Sequence, residues 1–509
     1  DRKYRKEKPF ALMARTLDVA RGIAELTAES EKLLLSPAHP IVLARKMSEL
    51  PGVAPDQKEY GVMLPYAPLH HLLFDAGAPD LIVMTSGNRS SEPIAYHDGE
   101  ARERLSEIAD AFLTGERPIA RRVDDSVVRC GPMGPMVLRR SRGYAPAAVT
   151  MIPSSRPILA LGADLKNSIT LVVEGQAFVS QYIGDLDDYQ SQEAFRQTIA
   201  DLTSMYAVDS AELLIAHDAH PEYFSTSIVM PAARACPIQH HRAHIASVLA
   251  ERQCWRERVI GVSFDGTGYG DDGSIWGGEF FAGSVSEGFE RVLHLRSATL
   301  AGGDAAARYP VQAAAGFLSQ LDHTPNLVDA PFHFPIRYSR AAELVAKGVR
   351  TFETTSMGRL FDTAAALVGF TREITFEGQA AMWLEHLADR GNTTREYPFP
   401  VAGEELDFRP LLAAVLDDRL RGRDVAEIAR AFHRAIARGL CCAATMLADA
   451  NGVDMVVLSG GVFQNQILLE DVLAMIQLRV WTNAAVPQND GGISLGQAAL
   501  AAFQECANA

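Results

Sequence analysis

The sequence predicts an α/β protein in which a small mixed-sheet domain precedes a larger unit that is duplicated within itself. Short apolar runs separated by Pro and Gly turns fill residues 1 to about 146. A strand–turn–strand–turn–strand pattern then appears twice, starting near residues 158 and 258. Near the C-terminus, a buried-type strand runs into paired glycines and a helix start. At 509 residues the chain is too long for one hydrophobic core.

Bulk properties narrow the function classes. Composition is that of a globular protein, 48% hydrophobic and 22% charged, with a formal net charge of −15. That balance offers no electrostatic attraction for a polyanion, so no nucleic-acid partner is expected. No apolar run is long enough to span a bilayer, so no membrane partner is expected either. The six cysteines are sparse and show no C-x-x-C spacing, as in reduced thiols of a cytoplasmic protein. The basic start "DRKYRKEKPF" has no initiator Met and is expected to lie inside a domain.

In the first domain, "PIVLA", "LIVMTSGN", "VVRC" and "MVLRRS" read as strands, with helical stretches near 16–34 and 98–112. "GYAPAAVTMIPSSRP" (143–157) holds three prolines, so residues 147–157 are expected to be a linker. In "ILALGADLKNSITLVVEGQAFVSQYIGD", three strands are separated by a polar turn and a Glu-Gly turn. "RVIGVSFDGTGYGDDGSIWGGEFFAGSV" repeats the opening: a strand ending in an Asp turn, then a hairpin. The unit 158–509 is therefore expected to have two lobes. Helices dominate from residue 405, notably "VAEIARAFHRAIARGLCCAATMLADA".

Each candidate motif has a bland alternative. Asp164 to Asn167 and Asp265 to Gly268, through Gly266 and Thr267, suit a backbone anion cradle beside a Mg²⁺-binding carboxylate, or two ordinary turns. Gly460 and Gly461 in "LSGGVFQN", with Asn465, suit close approach of a nucleotide to a helix N-terminus. Together these describe a nucleotide cleft between related lobes, as in actin-like ATPases and sugar kinases. In "QHHRAHIAS" (239–247), His240 and His244 lie i,i+4 on one helix face, and with a carboxylate they form a two-histidine metal set. Asp490 in "NDGGISLGQ" is the candidate carboxylate, its bland role being an N-cap. His241 falls on another face and reads as structural or solvent-exposed. Lys3, Arg5, Lys8, Arg139 and Arg142, with "TSGNRSSEP" between them, suit ATP. A solvated basic face is the competing reading, above all for Arg2, Lys6 and Arg140.

The first domain resembles the YrdC-like acyl-adenylate-forming domain through "KYRKEKPFALM", "SPAHPIVLARK", "GVMLPYAPLHHLL", "TSGNRSSEP", "DDSVVR" and "VLRRSRGYAP". The rest resembles the actin-like fold of the tRNA threonylcarbamoyl-transferring protein TsaD and its relatives. The matching segments there include "GADLKNSITL", "QYIGDL", "QHHRAHIAS", "TSMGRLFD", "LSGGVFQN" and "NDGGISLGQA". In this order, the pair resembles the HypF family of [NiFe]-hydrogenase maturation carbamoyltransferases. The acylphosphatase-like domain and zinc-finger region with which that family usually begins have no counterpart in these residues.

The resemblance implies that residues 1–146 form carbamoyl-adenylate from ATP and carbamate, the carbamate deriving from carbamoyl phosphate. It implies transfer of the carbamoyl group by residues 158–509 to the C-terminal cysteine of HypE. Lys3, Arg5, Lys8, Arg139 and Arg142 would neutralise the triphosphate, with Lys8 and Arg139 catalytic, and Ser36, Asn88 and Ser126 would hydrogen-bond the nucleotide. In the second unit, Asp164, Asn167, Asp265, Gly266, Thr267, Gly268, Gly460, Gly461 and Asn465 would hold nucleotide, with Asp362 near the ribose. His240, His244 and Asp490 would hold Fe²⁺ or Zn²⁺ and act in catalysis, and Mg²⁺ would accompany ATP. The rival readings are an antibiotic O-carbamoyltransferase, tRNA threonylcarbamoylation and a non-catalytic actin-like scaffold.

Overall fold

Glu174 and Gly175 show how local chemistry sets the topology here. Both take positive φ (50° and 78°), and this turn joins the strands Thr170–Val173 and Gln176–Val179. The computed structural model describes residues 2, 3, 5, 7–89, 92–229, 234–303 and 305–506, the last two without side chains. Tyr4, Lys6, Ser90 and Ser91 of the basic and Ser-rich motifs lie outside them. The chain forms two compact units. One comprises Asp1–Ile238, Ala250–Gln253 and Asn483–Ala509, the other Gln239–Leu249 and Cys254–Thr482.

Within the first unit, the predicted strands of residues 1–146 form a seven-stranded sheet. Its order is Leu81–Met84, Ala11–Ala14, Glu59–Met63, Ile41–Lys46, Val127–Gly131 and Gly134–Arg139, with Ala24–Glu25 paired beside Ile41–Lys46. Parallel and antiparallel pairs alternate across it, so the sheet is mixed. Leu12, Val42, Tyr60, Val62 and Val128 make its core. The stretch near 16–34 divides into Leu17–Arg21 and Ala28–Leu34, capped by the Thr16 and Thr27 hydroxyls. The helix expected at 98–112 is shorter, Asp98–Leu105, and Pro68–Asp75 is a helix that the apolar pattern did not predict.

The same unit holds a six-stranded sheet. Ile158–Ala160, Thr170–Val173 and Gln176–Val179 run as an antiparallel meander, and Leu214–Asp218 and Arg234–Ile238 add in parallel on the far side of the first strand. The expected linker is not wholly free chain: Ala148–Met151 pairs with Gln176–Val179 as the sixth strand, with Thr150 buried. Leu159, Leu171 and Phe195 centre the core, and the last helix, Ile493–Cys506, packs on this sheet.

The second unit repeats the order. Val259–Tyr269, Ile275–Ser284 and Gly288–Leu295 form the meander, and Met455–Ser459 and Arg479–Thr482 add in parallel. The duplicated, actin-like arrangement is thus present in both. One prediction fails in detail: the strand does not end at Asp265. It continues to Tyr269 through a register shift between Phe264 and Gly268, so the Asp-Gly-Thr segment is a bulge within a strand, not a turn. Among the described residues, no helix is long and apolar enough to cross a membrane.

Candidate active site

The second unit brings together the chemistry predicted from "QHHRAHIAS". His240 and His244 sit one turn apart on the helix His240–Ala250, both fully or almost fully buried. The Asp265 bulge aims its carboxylate at them: Oδ2 is 3.0 Å from His244 Nε2 and 3.5 Å from His240 Nε2. One ligand atom from each of these three residues lies within 4.8 Å of the others. Sequence reasoning placed Asp265 with the nucleotide; the fold also sets its carboxylate beside the two histidines. Its Oδ1 accepts from Gly266 N (2.8 Å) and Gly461 N (3.3 Å), which fixes the plane of the carboxylate. Burial pushes the Asp265 carboxyl up, but the two imidazoles outweigh it and hold the group well below the usual carboxylate range. Two imidazoles beside a buried carboxylate fit a divalent iron or zinc ion.

The glycines around this cluster serve packing. A Cβ on Gly268 would lie 2.4 Å from the His241 ring and 2.7 Å from that of His240. Gly460 has φ +100°, and a Cβ there would meet the Phe264 carbonyl oxygen at 2.3 Å. His241 is fully buried, not solvent-exposed; Gln239 bonds its Nδ1 at 3.1 Å, and burial holds the ring neutral. Thr267 is half-buried in the bulge. Asp362 is buried on the helix Met357–Val368 and pairs with Arg359 at 2.7 Å. Asn465 caps the helix Gln466–Met475 through Leu468 N and bonds His433 Nε2, so its amide is already engaged.

Two further candidate residues in the first unit are also engaged internally. Asp164 Oδ2 and Oδ1 accept from Phe224 N (2.7 Å) and Ser225 N (3.0 Å), capping a short helix. Asn167 is buried and donates to the carbonyls of Leu161 and Ala163. Both shape their loop from within. Asp490 heads a 3₁₀ turn, but the cap is Asn489, whose Oδ1 accepts from Gly491 N at 3.0 Å.

The basic residues of the first domain converge. Lys3 donates to Thr85 Oγ1 (2.8 Å), Asn88 Oδ1 (2.9 Å) and the Ser86 carbonyl. Burial, then the charges of Arg5 and Lys8, lower its pKa to about 8. Lys8 is lowered by burial and by Arg5 and Arg139, and Arg5 by burial and Arg139. The charges of Lys3, Arg5, Lys8 and Arg139 thus act on one another within a single cluster. Arg142 is engaged otherwise: it bonds Asp125 and the carbonyls of Ala38 and His39, with its guanidinium 3.4 Å from the Tyr66 ring centroid. It therefore holds the Ser36–His39 turn, where Ser36 Oγ donates to Leu33 O. Ser126 is fully buried, its hydroxyl donating to the Arg142 carbonyl and accepting from Ser141 N. A small recess within this unit is lined by Arg139, Arg140, Lys166, Tyr182 and Asn489.

Comparison with known proteins agrees with this layout. Residues 261–497 match the family described as carbamoyltransferase, Kae1-like domain, second subdomain, and residues 153–251 match the HypF Kae1-like domain. Residues 1–141 match the family described as telomere recombination, the Sua5, YciO and YrdC group. Carbamoyltransferase HypF of Rhodobacter capsulatus is 40% identical over 98% of this chain and 68% of its own length. The chain belongs to the HypF carbamoyltransferases. HypF of Synechocystis is 35% identical over 97% of the chain and 67% of its own. A crystal structure of full-length HypF in a phosphate- and nucleotide-bound form superposes with TM-score 0.92 at 37% identity, covering 98% of this chain and 80% of that one. HypF from T. kodakarensis gives TM-score 0.92 at 33% identity, covering 99% and 68%. The protein is thus a carbamoyltransferase with a YrdC-like and a Kae1-like region.

Proposed function

We propose that this HypF-family enzyme makes carbamoyl-adenylate from ATP and carbamate and transfers the carbamoyl group to the C-terminal cysteine of HypE. That thiocarbamate is the precursor of the cyanide ligands of [NiFe]-hydrogenase. The observation that carries this reading is the buried His240–His244–Asp265 cluster in a chain that also holds an anion site of four cations.

In the first step a carbamate oxygen attacks the α-phosphorus of ATP, and pyrophosphate leaves. Lys3, Arg5, Lys8 and Arg139 hold the triphosphate, with Mg²⁺ screening its charge. Asn88 and Ser36 line the nucleotide, while Arg142 and Ser126 keep the surrounding turns in place. Such chemistry is positioning and charge stabilisation, and it uses no protein nucleophile.

In the second step the HypE thiolate attacks the carbamoyl carbon and AMP leaves. Gly266, Thr267, Gly268 and Gly461 offer a backbone surface for the nucleotide, and Asp362 stands nearest the ribose. His240, His244 and Asp265 would hold a divalent iron or zinc ion. When bound, such an ion supplies Lewis-acid polarisation of a carbonyl. Asp265 orients the two imidazoles, and burial keeps water from the labile acyl group. The reaction belongs to the cytoplasm, where Cys130, Cys236, Cys254, Cys441 and Cys442 would stay as free thiols.

The test is incubation with ATP, carbamoyl phosphate or carbamate, and HypE, followed by mass measurement of the HypE C-terminal peptide. A gain of one carbamoyl group, lost in His244→Ala, supports the reading. Carbamoylation of a small-molecule hydroxyl with none on HypE would overturn the acceptor.

A further inference from the structure

Glu279 lies on the strand Ile275–Ser284, which pairs with the strand that carries the Asp265 bulge. Its side chain is wholly buried. Oε2 accepts from Arg291 Nε at 2.6 Å, and Oε1 accepts from Gly277 N and Gly278 N, both at 3.1 Å, and from Thr355 Oγ1. A buried carboxylate is costly unless such donors satisfy it, and an apolar side chain here would leave them unpaired. The placement of this acid therefore has a reason other than filling space.

Thr355 leads directly to Ser356, the cap of the helix Met357–Val368, whose Oγ accepts from Arg359 N at 3.1 Å. The same hydroxyl donates to Gly266 O (2.5 Å), with Asp265 O at 3.3 Å. Backbone meets backbone at this corner. A Cβ on Gly277 would lie 2.7 Å from Asp265 O and 3.0 Å from Ser356 Cα, and one on Gly358 would lie 2.9 Å from Gly266 Cα. Contacts this close leave little slack, so a shift of the Thr355–Ser356 corner moves the bulge with it.

We infer that Glu279 is a positioning residue for the metal site: by fastening the Thr355–Ser356 corner against the bulge, it fixes where the Asp265 carboxylate stands relative to His240 and His244. The inference rests on the proposal that these three residues share an ion, and every residue in the chain of contacts belongs to the second unit. Partners outside the ligands themselves change metal affinity by about 10–100-fold when lost.

The experiment measures Zn²⁺ affinity by competition with a chromophoric chelator, for the full chain, Glu279→Gln, Thr355→Val, the double variant and His244→Ala. The melting temperature is followed in parallel. The expected result is one tight Zn²⁺ in the unaltered protein, abolished in His244→Ala and weakened about 10-fold or more in Glu279→Gln and in Thr355→Val. The double variant binds no more weakly than the weaker single one, because both substitutions break the same chain of contacts. If Glu279→Gln does not fold, Thr355→Val, which keeps the shape and removes only the hydroxyl, carries the test alone. A lowered melting temperature with unaltered Zn²⁺ affinity overturns the inference and leaves the metal reading standing, as do losses that simply multiply in the double variant. Failure of the unaltered protein to bind Zn²⁺ through His244 overturns both.

Discussion

The two repeats share one strand order, yet their aspartates do different work. In the first, Asp164 follows the strand Ile158–Ala160 and gives both oxygens to the backbone of a helix that begins sixty residues later in the chain. In the second, Asp265 stays within its strand at a bulge, takes its backbone bonds on Oδ1 alone and turns Oδ2 to His240 and His244. A duplicated unit thus keeps a carboxylate at a corresponding position while only one copy leaves an oxygen for chemistry. The deciding difference is the partner of the second oxygen: a backbone N–H in one repeat, imidazoles in the other.

Removing an imidazole gives the largest effect. His244→Ala removes a proposed ligand outright, and is expected to lose bound iron or zinc and to lower carbamoyl transfer by more than the roughly 10–100-fold that loss of an outer partner causes. Metal analysis with single-turnover transfer checks it, and a metal-free but fully active variant would break the contrast. Next is Gly460→Ala, where the added methyl meets the Phe264 carbonyl at positive φ. Overpacking of this kind costs about 1–3 kcal/mol, so denaturant unfolding should show that loss, with transfer falling as the Asp265–Gly461 contact shifts. Asp164→Ala removes a helix cap worth about 1–2 kcal/mol and should lower the melting temperature while leaving metal content intact. A metal-depleted Asp164→Ala would mean that both aspartates serve the site.

The smallest effect concerns pH. Lys3 has its pKa lowered to about 8, so below that it carries the charge that ATP requires. ATP affinity of the first domain should weaken as pH rises through about 8, and Lys3→Met should flatten that slope. For folding the sign is opposite: the unfolded chain binds the proton more tightly, so this group's destabilising contribution is present below pH 8 and relieved between 8 and its ordinary value of 10.5. Calorimetric ATP titration across this range checks the first statement.

Local chemistry made most of the fold legible. The Glu174–Gly175 turn, the Gly460–Gly461 junction and the i,i+4 histidines each depend on neighbours within a few residues, and each forms as read. The basic cluster was legible too, because Lys3, Arg5 and Lys8 lie close in sequence. What escaped was non-local. Whether Asp265 makes a turn or a bulge depends on register against Gly278 and Trp276, and its imidazole partners lie twenty-one and twenty-five positions back. Ser126, Asn465 and Asp164 looked like ligand contacts because their residue types suit nucleotides. Their actual partners, Ser141, His433 and Phe224, could not be ranked above a nucleotide without the fold. The Ala148–Met151 strand was hidden by flanking prolines that suggested a linker.

The contrast between the repeats is tested most directly by Asp265→Asn beside Asp164→Asn, with metal content and carbamoyl transfer to the HypE peptide measured on the same preparations. The account predicts that Asp265→Asn loses metal and transfer, whereas Asp164→Asn retains both and melts at a lower temperature. Metal and transfer at unaltered levels in Asp265→Asn would contradict it.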